Sequence, residues 1–372
     1  MMLEKNWLDL GSVDSLKDPP LREISVQGKP IALSYKDEQF GAILGVCTHV
    51  GGPLGKGKID GDHIVCPWHY WQFHRVTGSA PPGYEDKVPQ YELKIKNNHL
   101  FIDTNPITKV HKSAHPPHQL ERPIKREEGP IRVVGISTTI MDSKNPRYST
   151  SDKLLEVAID YAKNELSAQT MFIRLNDLKF RACEGFYSKS AFACTWPCSI
   201  TQMDETDQLA QVYEALIYWA DVVIVATPIR WGAASSLYHK MIERMNCVQN
   251  QITINNRVLI QNKVASFIIT GGQDNVQDVA GHMLGFFSEL GFVFPTFPFI
   301  AHTRGWDAED MERNIAYVAE SDDLKNGAKD LIRRSIEMAK IVLHQHLSRE
   351  EIVKAGRKAQ HLTINEEPSD IR

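Results

Sequence analysis

The chain has 372 residues, which is too long for one ordinary domain and predicts two. Its 42 basic and 46 acidic side chains nearly cancel, so the net charge of −4 provides no field that favours nucleic acid or an anionic membrane surface. A hydrophobic fraction of 42% is usual for a globular protein, and the longest apolar runs, such as ADVVIVATPI, are too short to span a bilayer.

The N-terminal sequence and the cysteine content predict a cytoplasmic protein. The first residues, MMLEKNWLDLGSVDSL, are acidic and lack the apolar core of a signal peptide, so secretion is not expected. Six cysteines in a chain of this length do not make a disulfide framework. In a reducing compartment, a clustered pattern of cysteine and histidine more often indicates a metal site.

The sequence pattern changes along the chain and predicts the domain organisation. Residues 1–104 contain short alternating runs between Gly, Asn and Asp turns, which predict an all-β domain. Residues 105–130 are rich in Pro, His and charge without periodicity, which predicts a flexible linker. In residues 131–347 apolar runs alternate with helical patterns, which predicts an α/β domain with a parallel sheet. The charged tail, residues 348–372, is predicted to be frayed.

Five strands are predicted in the second domain, which is the number in the flavodoxin-like doubly wound fold. In chain order they are IRVVGIST, TMFIRLND, DVVIVATP, KVASFIITGG and FVFPTF. The predicted helices are SDKLLEVAIDYAKNELSA, DQLAQVYEALIYWA, SSLYHKMIERMNCV, VQDVAGHMLGFFSELG and DDLKNGAKDLIRRSIEMAKIVLHQHL. The segment from Leu178 to Thr206 is predicted to be irregular.

One cysteine and one histidine recur on each of two short loops of the first domain. Cys47 and His49 form a C-x-H pattern, and Cys66 and His69 form a C-x2-H pattern. Two thiolates and two imidazoles could hold one tetrahedral zinc ion, or a [2Fe–2S] cluster with both cysteines on one iron and both histidines on the other. Zinc fingers usually group cysteines in one pair and histidines in another. Loops that each carry one cysteine and one histidine favour the cluster.

The segment CTH…G…CPWH…F…TG resembles the Rieske ferredoxin family, and the resemblance covers about residues 5–104. It implies that the [2Fe–2S] ligands are Cys47, His49, Cys66 and His69. High-potential Rieske proteins have an extra cysteine in each loop, where this chain has Gly52 or its neighbours and Trp68, and a hydroxyl donor after the last ligand, where this chain has Tyr70 to Phe73. Fewer hydrogen bonds to the sulfurs predict a potential toward the low end of the Rieske range of roughly −150 to +300 mV.

Three loops of the second domain follow predicted strands at the sheet edge where doubly wound folds bind ligands. The first, STTIMDSKNPRYSTSDKLLEV, is rich in hydroxyl groups and opens a helix, which suits a phosphate group. It lacks the GxxxxGK[ST] pattern of a triphosphate site and the GxGxxG pattern of a dinucleotide site. A phosphate monoester, as in FMN, is therefore predicted.

The segment NPRYSTSDKLLE resembles the SPRKxSNTxKLLE phosphate loop of flavodoxin-like NAD(P)H-dependent FMN reductases and iron–sulfur flavoproteins, and TPIRWGAASSLYHKMIER resembles their T-P-x-Y/R-W-G-x-x-S segment. The resemblance covers about residues 131–345 and implies FMN, with NADH or NADPH as co-substrate. The implied phosphate-site residues are Ser137, Arg147, Ser149, Thr150 and Ser151. Those implied along the isoalloxazine are Thr227, Pro228, Ile229, Arg230, Trp231 and Gly232. Those implied at its pyrimidine edge, in TGGQDN, are Thr270, Gly271, Gly272 and Gln273.

Three further cysteines, Cys183, Cys194 and Cys198, lie where iron–sulfur flavoproteins carry the ligands of a [4Fe–4S] cluster. Three thiolates are one fewer than the usual four. The favoured interpretation is a structural loop that covers the flavin or packs against another subunit. A second cluster and a redox-active pair of Cys194 and Cys198 remain alternatives. Cys247, on a predicted helix, is predicted to belong to the core.

Together the two resemblances imply an oxidoreductase in which NAD(P)H reduces FMN, and FMN passes single electrons through the [2Fe–2S] cluster to a small-molecule or protein acceptor. No side chain is assigned as catalytic, because hydride transfer takes place at the flavin. Alternatives are electron flow from the Rieske domain to a flavin that reduces a small organic substrate, a non-catalytic redox sensor, and an empty flavin fold used for assembly. A homo-oligomer, dimer or tetramer, is implied by the reductase family, and neither a nucleic-acid nor a membrane partner is expected.

Overall fold

The computed structural model of the chain describes residues 5–113, 118–141, 148–204, 206–271, 275–303 and 308–345. The described chain divides into two compact units. The first contains the N-terminal part up to Pro117 together with Gly185–Ala193, and the second contains His118–Glu184 and the part that begins at Cys194. The predicted tail, residues 348–372, lies outside the described residues.

The first unit contains three antiparallel sheets of three strands each, which confirms the predicted all-β N-terminal domain. Its strands are β1 (Trp7–Ser12), β2 (Leu21–Val26), β3 (Lys29–Lys36), β4 (Gln39–Leu44), β5 (Lys58–Asp60), β6 (His63–Val65), β7 (Gln72–His74), β8 (Tyr91–Lys96) and β9 (His99–Pro106), and helix α1 (Val13–Leu16) follows β1. The strand orders are β1-β9-β8, β2-β3-β4 and β5-β6-β7.

Tight hairpins set the register of these sheets. The β8–β9 hairpin turns at Asn97 and Asn98, with φ of 52° and 61°, and the β2–β3 hairpin turns at Gln27 and Gly28, with φ of 51° and 78°. Two consecutive residues with positive φ form the turn whose twist matches that of the flanking strands. The Asn and Gly signals in the sequence therefore specify the hairpins locally.

A buried apolar cluster of the first unit includes two cysteines. Ile43, Ile64 and Phe73 are fully buried at its centre, and Cys47 and Cys66 belong to the same cluster. Cys47 follows β4 and Cys66 follows β6, so the two strand ends that pack on this core hold the thiols in place. Packing of this core therefore positions the two cysteines without the help of a metal.

The second unit is a five-stranded parallel sheet with helices, as predicted. Its strands are β10 (Arg132–Ser137), β11 (Gln169–Arg174), β12 (Val222–Pro228), β13 (Val264–Gly271) and β14 (Phe299–Thr303), in the order β11-β10-β12-β13-β14. All four neighbouring pairs are parallel. This order is that of the flavodoxin-like fold, which places the carboxyl ends of β10, β12 and β13 next to one another.

Helices surround the sheet, and one additional short helix lies in the first unit. The helices are α2 (Thr150–Asn164), α3 (Phe186–Lys189), α4 (Ser199–Met203), α5 (Ala210–Tyr213), α6 (Ser236–Arg244), α7 (Asn246–Thr253), α8 (Val276–Leu290), α9 (Ala308–Glu320) and α10 (Asp322–Gln345). Of these, α3 belongs to the first unit. The helix at α5 continues in a wider π-type geometry through Trp219.

Two details of the sequence interpretation are wrong. The fifth strand was predicted over FVFPTF, but β14 begins at Phe299, beyond that segment. Pro295 and Pro298 lack the N–H that a ladder needs, which explains why regular pairing starts only after them. The predicted helix SSLYHKMIERMNCV is instead two helices, α6 and α7, which are separated at Met245.

Part of the predicted linker is ordered. His118 caps a short turn over Gln119–Glu121, and Leu120 in that turn is fully buried. The carbonyl of Leu120 accepts hydrogen bonds from the indole of Trp196, at 3.2 Å, and from the hydroxyl of Tyr218. Residues 118–121 therefore pack within the second unit, because one apolar side chain and one carbonyl in the polar segment find partners there.

Within the described ranges, no helix combines the length and the apolar character that crossing a bilayer requires.

Lys263, immediately before β13, is expected to make the stability of the second unit rise with pH. Burial lowers the pKa of its ammonium group from 10.5 to about 8, although Asp221 opposes the change. Between these two pH values the unfolded chain binds a proton that the folded chain lacks, so the free energy of unfolding increases with pH, by about 3 kcal/mol in all. Urea unfolding of the wild type and of Lys263→Met between pH 7 and about 10 measures this slope.

The Lys263→Met variant is expected to lose that upward slope. Lys340→Met, on the exposed face of α10, is the matched control and should retain it. Equal slopes in Lys263→Met and the wild type would contradict the assignment.

Candidate functional site

Two loops of the first unit have the same backbone design. In the first, the amide of Cys47 donates to the carbonyl of Gly52 at 2.9 Å, and Gly51 donates back to Cys47 at 3.0 Å. In the second, Cys66 donates to Trp71 at 2.7 Å, and Tyr70 donates back to Cys66 at 3.1 Å. Each cysteine therefore begins a closed loop, and the histidine of the same loop follows two or three residues later.

The two thiols lie together beneath these loops. Cys47 is 3% exposed and Cys66 is 1% exposed. Hydrogen bonding between them, with Cys47 as the donor, raises the pKa of Cys47 and lowers that of Cys66 to about 7; burial acts to raise both. The pair is thus a preformed sulfur site in which one thiol already favours its thiolate form.

The two imidazoles form a second pair. The ring centroids of His49 and His69 are 4.8 Å apart, and Nδ1 of each ring is shielded from solvent. Nε2 of His69 lies 2.6 Å from the carbonyl oxygen of Ala193. A carbonyl only accepts, so Nε2 carries the proton and Nδ1 of the neutral ring keeps its lone pair. Burial lowers the pKa of His69, which favours this neutral form.

The residues present fit a [2Fe–2S] cluster with two cysteines on one iron and two histidines on the other. Thiol contacts thiol and imidazole contacts imidazole, and this pairing is the one that such a cluster needs. Gly52 provides room: a Cβ at this position would lie 2.6 Å from Sγ of Cys66. Among the described residues, no group of three or more His, Cys, Asp or Glu side chains could hold a single metal ion.

The predicted phosphate loop lies at the start of α2. Ser149 caps this helix, and its hydroxyl accepts from the amide of Asp152 at 3.4 Å. Its oxygen is 3.3 Å from that of Ser151, and the hydroxyl of Thr150 lies 2.7 Å from that of Thr270 at the end of β13. Two of the three predicted flavin loops therefore meet directly.

Ser137 has a different environment from that of the other hydroxyls. It is fully buried at the end of β10, and its hydroxyl donates to the carboxylate of Asp152, which also pairs with Arg174. The hydroxyl proton of Ser137 is used within the protein in this arrangement. Its predicted contact with phosphate therefore requires this hydrogen bond to change.

The loop after β12 meets the end of β13. The amide of Ile229 donates to the carbonyl of Thr270 at 2.7 Å, and a Cβ on Gly271 would lie 2.8 Å from Cβ of Ile229. Thr227 is fully buried, and its hydroxyl accepts from the amide of Ser235 at 3.1 Å. The predicted flavin residues Thr227, Pro228, Ile229, Thr270 and Gly271 thus share one edge of the sheet.

Trp231 is at the tip of this loop and is 98% exposed. Its φ of 51° is unusual for a bulky side chain. Gly232 follows with φ of 72°, and its carbonyl accepts from the side-chain amide of Asn275 at 2.5 Å. Arg230 is also exposed. The loop therefore presents a large aromatic ring to the space beside the sheet edge.

Three predicted flavin residues, Arg147, Gly272 and Gln273, lie outside the described residues. Of the remaining predicted residues, the structure brings those of the three loops to the carboxyl ends of β10, β12 and β13. This position suits FMN, because strand ends at a switch point are where such folds bind ligands.

Four cysteines, and not three, are neighbours in the second unit. Cys247 is buried, as predicted for a core residue, but its thiol also hydrogen-bonds that of Cys198. This hydrogen bond, followed by the charge of Arg244, lowers the pKa of Cys198 to about 5, against the effect of burial. The guanidinium of Arg244 donates to Sγ of Cys198 at 3.2 Å. Burial, with the charges of Cys198 and Cys183, raises the pKa of Cys194 to about 12.

Sequence reasoning missed the residues that surround His69 from a distant part of the chain. Phe186, Lys189 and Ala193 lie in the segment that was predicted to be irregular, yet they belong to the first unit. Their spacing from the ligand loops carries no local signal, since the contact depends on tertiary packing alone.

Comparisons with known proteins match the two parts of the chain separately. Residues 6–92 match the family model of the Rieske [2Fe–2S] domain, and residues 133–306 match that of the NADPH-dependent FMN reductase. The ferredoxin component of a naphthalene 1,2-dioxygenase/salicylate 5-hydroxylase system from Ralstonia sp is 29% identical over 102 residues, which are 27% of this chain and 97% of that protein.

Two further proteins are similar to this chain, and their matches cover different shares of it. The oxygenase component of 3-ketosteroid-9-alpha-monooxygenase from Rhodococcus rhodochrous is 28% identical over 109 residues, which are 27% of this chain and 28% of that protein. A solved structure of RosB with a bound riboflavin-phosphate intermediate has a TM-score of 0.49 at 18% identity, and the match covers 65% of this chain and 90% of that chain.

Proposed function

Because residues 6–92 are a Rieske [2Fe–2S] domain and residues 133–306 are an NADPH-dependent FMN reductase domain, we propose that the chain is an NAD(P)H-dependent oxidoreductase that passes electrons from FMN to the Rieske site and on to an external acceptor. The observation that carries the proposal is the presence of both domains in one polypeptide. The flavin domain, which accepts electrons in pairs, and the Rieske domain, which carries one electron at a time, are then produced in equal amounts and remain covalently linked.

We further propose that the acceptor is an oxygenase component. The relative from Ralstonia is named as a ferredoxin component of a dioxygenase system, and it is similar to the first domain over nearly its whole length. An electron carrier must be reduced before it can pass an electron on. In this proposal the second domain supplies the electrons, so a separate reductase is not required.

On the Rieske side, the protein contributes ligands and geometry. Cys47 and Cys66 supply thiolates from a buried pair, and His49 and His69 supply Nδ1 lone pairs from rings in contact. The hydrogen bond from Nε2 of His69 to the carbonyl of Ala193 holds that ring in one orientation. When bound, the cluster carries one electron at a time, and FMN accepts a hydride and releases electrons singly.

On the flavin side, the residues bind and orient. The first N–H groups of α2 and the hydroxyls of Ser149 and Thr150 suit a phosphate monoester. The strand-end residues Thr270 and Ile229 form the floor against which a ring system could lie, and the exposed indole of Trp231 could cover it. No acid or base is required of the protein for hydride transfer.

Anaerobic stopped-flow mixing with NADPH, and separately with NADH, tests the proposal. We expect flavin bleaching first and loss of the oxidised cluster's absorbance second, in the same reaction. Continued NAD(P)H oxidation in the presence of an artificial one-electron acceptor distinguishes an enzyme from a redox sensor. A flavin that is bleached while the cluster remains oxidised would contradict the proposed electron path, and purified protein without flavin would contradict the proposed reductase activity.

Trp231→Ala is expected to weaken FMN binding about fivefold, because stacking on an aromatic ring contributes about 1 kcal/mol beyond its buried area. The flavin phase should slow accordingly at limiting FMN. Phe297→Ala is the matched control, since Phe297 is 75% exposed and has φ of 52° in the same unit. FMN titration followed by flavin fluorescence measures both affinities, and equal weakening in the two variants would exclude a specific contact at Trp231.

A further inference from the structure

Residues 185–193 form a short segment that is flanked in sequence, on both sides, by residues of the second unit. The segment lies between β11 and β12 in sequence, but it packs as part of the first unit. It consists of α3, which begins after Gly185 with φ of 64°, and a 3₁₀ turn over Ala191–Ala193. We call it the docked segment.

The docked segment covers the outer edge of one histidine ligand. The carbonyl of Ala193 accepts from Nε2 of His69 at 2.6 Å, and the ring of Phe186 meets the imidazole edge-on at a centroid distance of 5.1 Å. His69 is 2% exposed as a result. Nε2 of His69, the ring nitrogen that would not bind iron, is therefore already hydrogen-bonded to the protein's own backbone.

Two side chains attach the segment to the loop that carries His69. The ammonium group of Lys189 donates to the carbonyl of Pro67 at 2.7 Å and lies 5.2 Å from the ring centroid of Tyr70. Phe186, which lies 6.2 Å from the ring of Tyr70, is 5% exposed. In contrast, Phe192 is 67% exposed in the same segment. The buried residues of the segment are thus those that face the loop.

The other histidine ligand has a different neighbourhood. His49 is partly exposed, and Trp71 stacks on its ring at 5.1 Å with an interplanar angle of 10°. Trp71 in turn lies 6.4 Å from Tyr84, which is 62% exposed. On this side an aromatic path leads from the ligand toward solvent, and both of its rings come from the first domain itself.

We propose that the docked segment closes the His69 side of the Rieske site to external redox proteins and reserves it for the protein's own chain, so that an external acceptor approaches the His49 side. This inference rests on the proposed function and specifies its route. Ala193 is bonded directly to Cys194, the residue at which the second unit resumes, so the hydrogen bond from His69 ends on backbone that continues into the reductase unit.

Diethyl pyrocarbonate labelling of the cluster-loaded protein tests the closure without any turnover. The reagent acylates accessible imidazole nitrogens, and peptide mass spectrometry separates the two ligands. We expect His69 to be labelled at least about tenfold more slowly than His49, since one retained hydrogen bond and burial protect Nε2. Equal labelling of the two histidines in the wild type would overturn the proposal.

Variants of the segment test the cause of the protection. Phe186→Ala combined with Lys189→Ala should bring the labelling rates of His69 and His49 within about threefold of each other, because both attachments of the segment are removed. Phe192→Ala, in the same segment but exposed, should leave the wild-type ratio unchanged. If the double variant fails to fold, replacement of residues 185–193 by a Gly/Ser linker of equal length gives the same comparison. Unchanged protection of His69 in these variants would overturn the proposal.

A kinetic readout separates this inference from the proposed function. After dithionite reduction and removal of the excess reagent, the initial loss of the reduced cluster's own electron paramagnetic resonance signal on mixing with cytochrome c measures external transfer from the cluster without NAD(P)H. Trp71→Ala should slow this reaction about tenfold, whereas the double variant of the segment should not slow it. The opposite pattern would overturn the assignment of the two sides. Failure of NAD(P)H to reduce the cluster, with asymmetric labelling intact, would refute only the proposed function.

Discussion

Gly52→Ala is expected to remove most of the [2Fe–2S] cluster while leaving the first unit folded. The added Cβ would lie 2.6 Å from Sγ of Cys66 and 3.3 Å from the ring of Trp68. In the protein without metal the thiol can rotate away from the methyl group. In the loaded protein Sγ is a ligand and cannot move, so the overpacking falls on the cluster-bound state. Such overpacking costs about 1–3 kcal/mol, which is about five- to 150-fold in affinity.

Iron and sulfide analysis, together with the electron paramagnetic resonance signal of the reduced protein, measures this loss. Cys66→Ser gives the reference for complete loss of a thiolate ligand. Gly61→Ala is the matched control, because a Cβ there meets nothing within 4 Å, although φ of 56° makes the backbone mildly strained. Wild-type iron and sulfide content in Gly52→Ala would show that the cluster does not lie between the two loops.

Arg244→Met is expected to lower the free energy of unfolding of the second unit by about 3–5 kcal/mol. Arg244 and Asp207 form an ion pair in which both side chains are fully buried, with nitrogen–oxygen distances of 2.7 and 3.1 Å. The same guanidinium donates to the carbonyl of Arg181, the hydroxyl of Thr201 and Sγ of Cys198. Methionine preserves much of the volume but leaves the Asp207 carboxylate buried without its counter-ion, which accounts for the size of the loss.

Urea unfolding followed by circular dichroism measures the effect. Arg333→Met is the control, since Arg333 and Asp330 are both about half exposed and such surface pairs contribute at most about 1 kcal/mol. The double variant Arg244→Met with Asp207→Leu should recover much of the stability, because it removes the buried charge as well as its partner. A double variant as unstable as Arg244→Met alone would show that the lost side-chain packing, and not the uncompensated carboxylate, causes the destabilisation.

The sequence alone could not have predicted the effect of Arg244→Met, and the arrangement of the four cysteines shows why. Cys198 and Cys247 are far apart in the chain and were interpreted separately, one in an irregular loop and the other as a core residue. The structure joins them through Arg244, whose guanidinium donates to Sγ of Cys198 and whose carbonyl oxygen lies 3.3 Å from Sγ of Cys247. The hydrophobic pattern of a helix indicates which face is buried, but it does not indicate which distant loop packs on that face.

Local and periodic features of the sequence were sufficient for much of the protein. The change from alternating to continuous apolar runs identified the all-β and the α/β parts, because each pattern reflects the number of buried faces of a strand. The alternation of strands and helices predicted a parallel sheet, and the number of five strands predicted the flavodoxin-like fold, whose strand order the structure shows. The candidate ligands Cys47, His49, Cys66 and His69 were identified because each pair lies on one short loop, where spacing in sequence limits spacing in space.

Only the tertiary structure decided which distant segments meet. It placed residues 185–193 on the first unit, against His69, although sequence order assigns them to the second. It also placed the last regular strand at Phe299–Thr303, after two prolines, although Val293 before them already forms an isolated parallel bridge with Val264. The physical reason is the same in both cases. Long-range contacts depend on shape, burial and hydrogen-bond satisfaction summed over many residues, whereas the sequence pattern reports only the preferences of near neighbours.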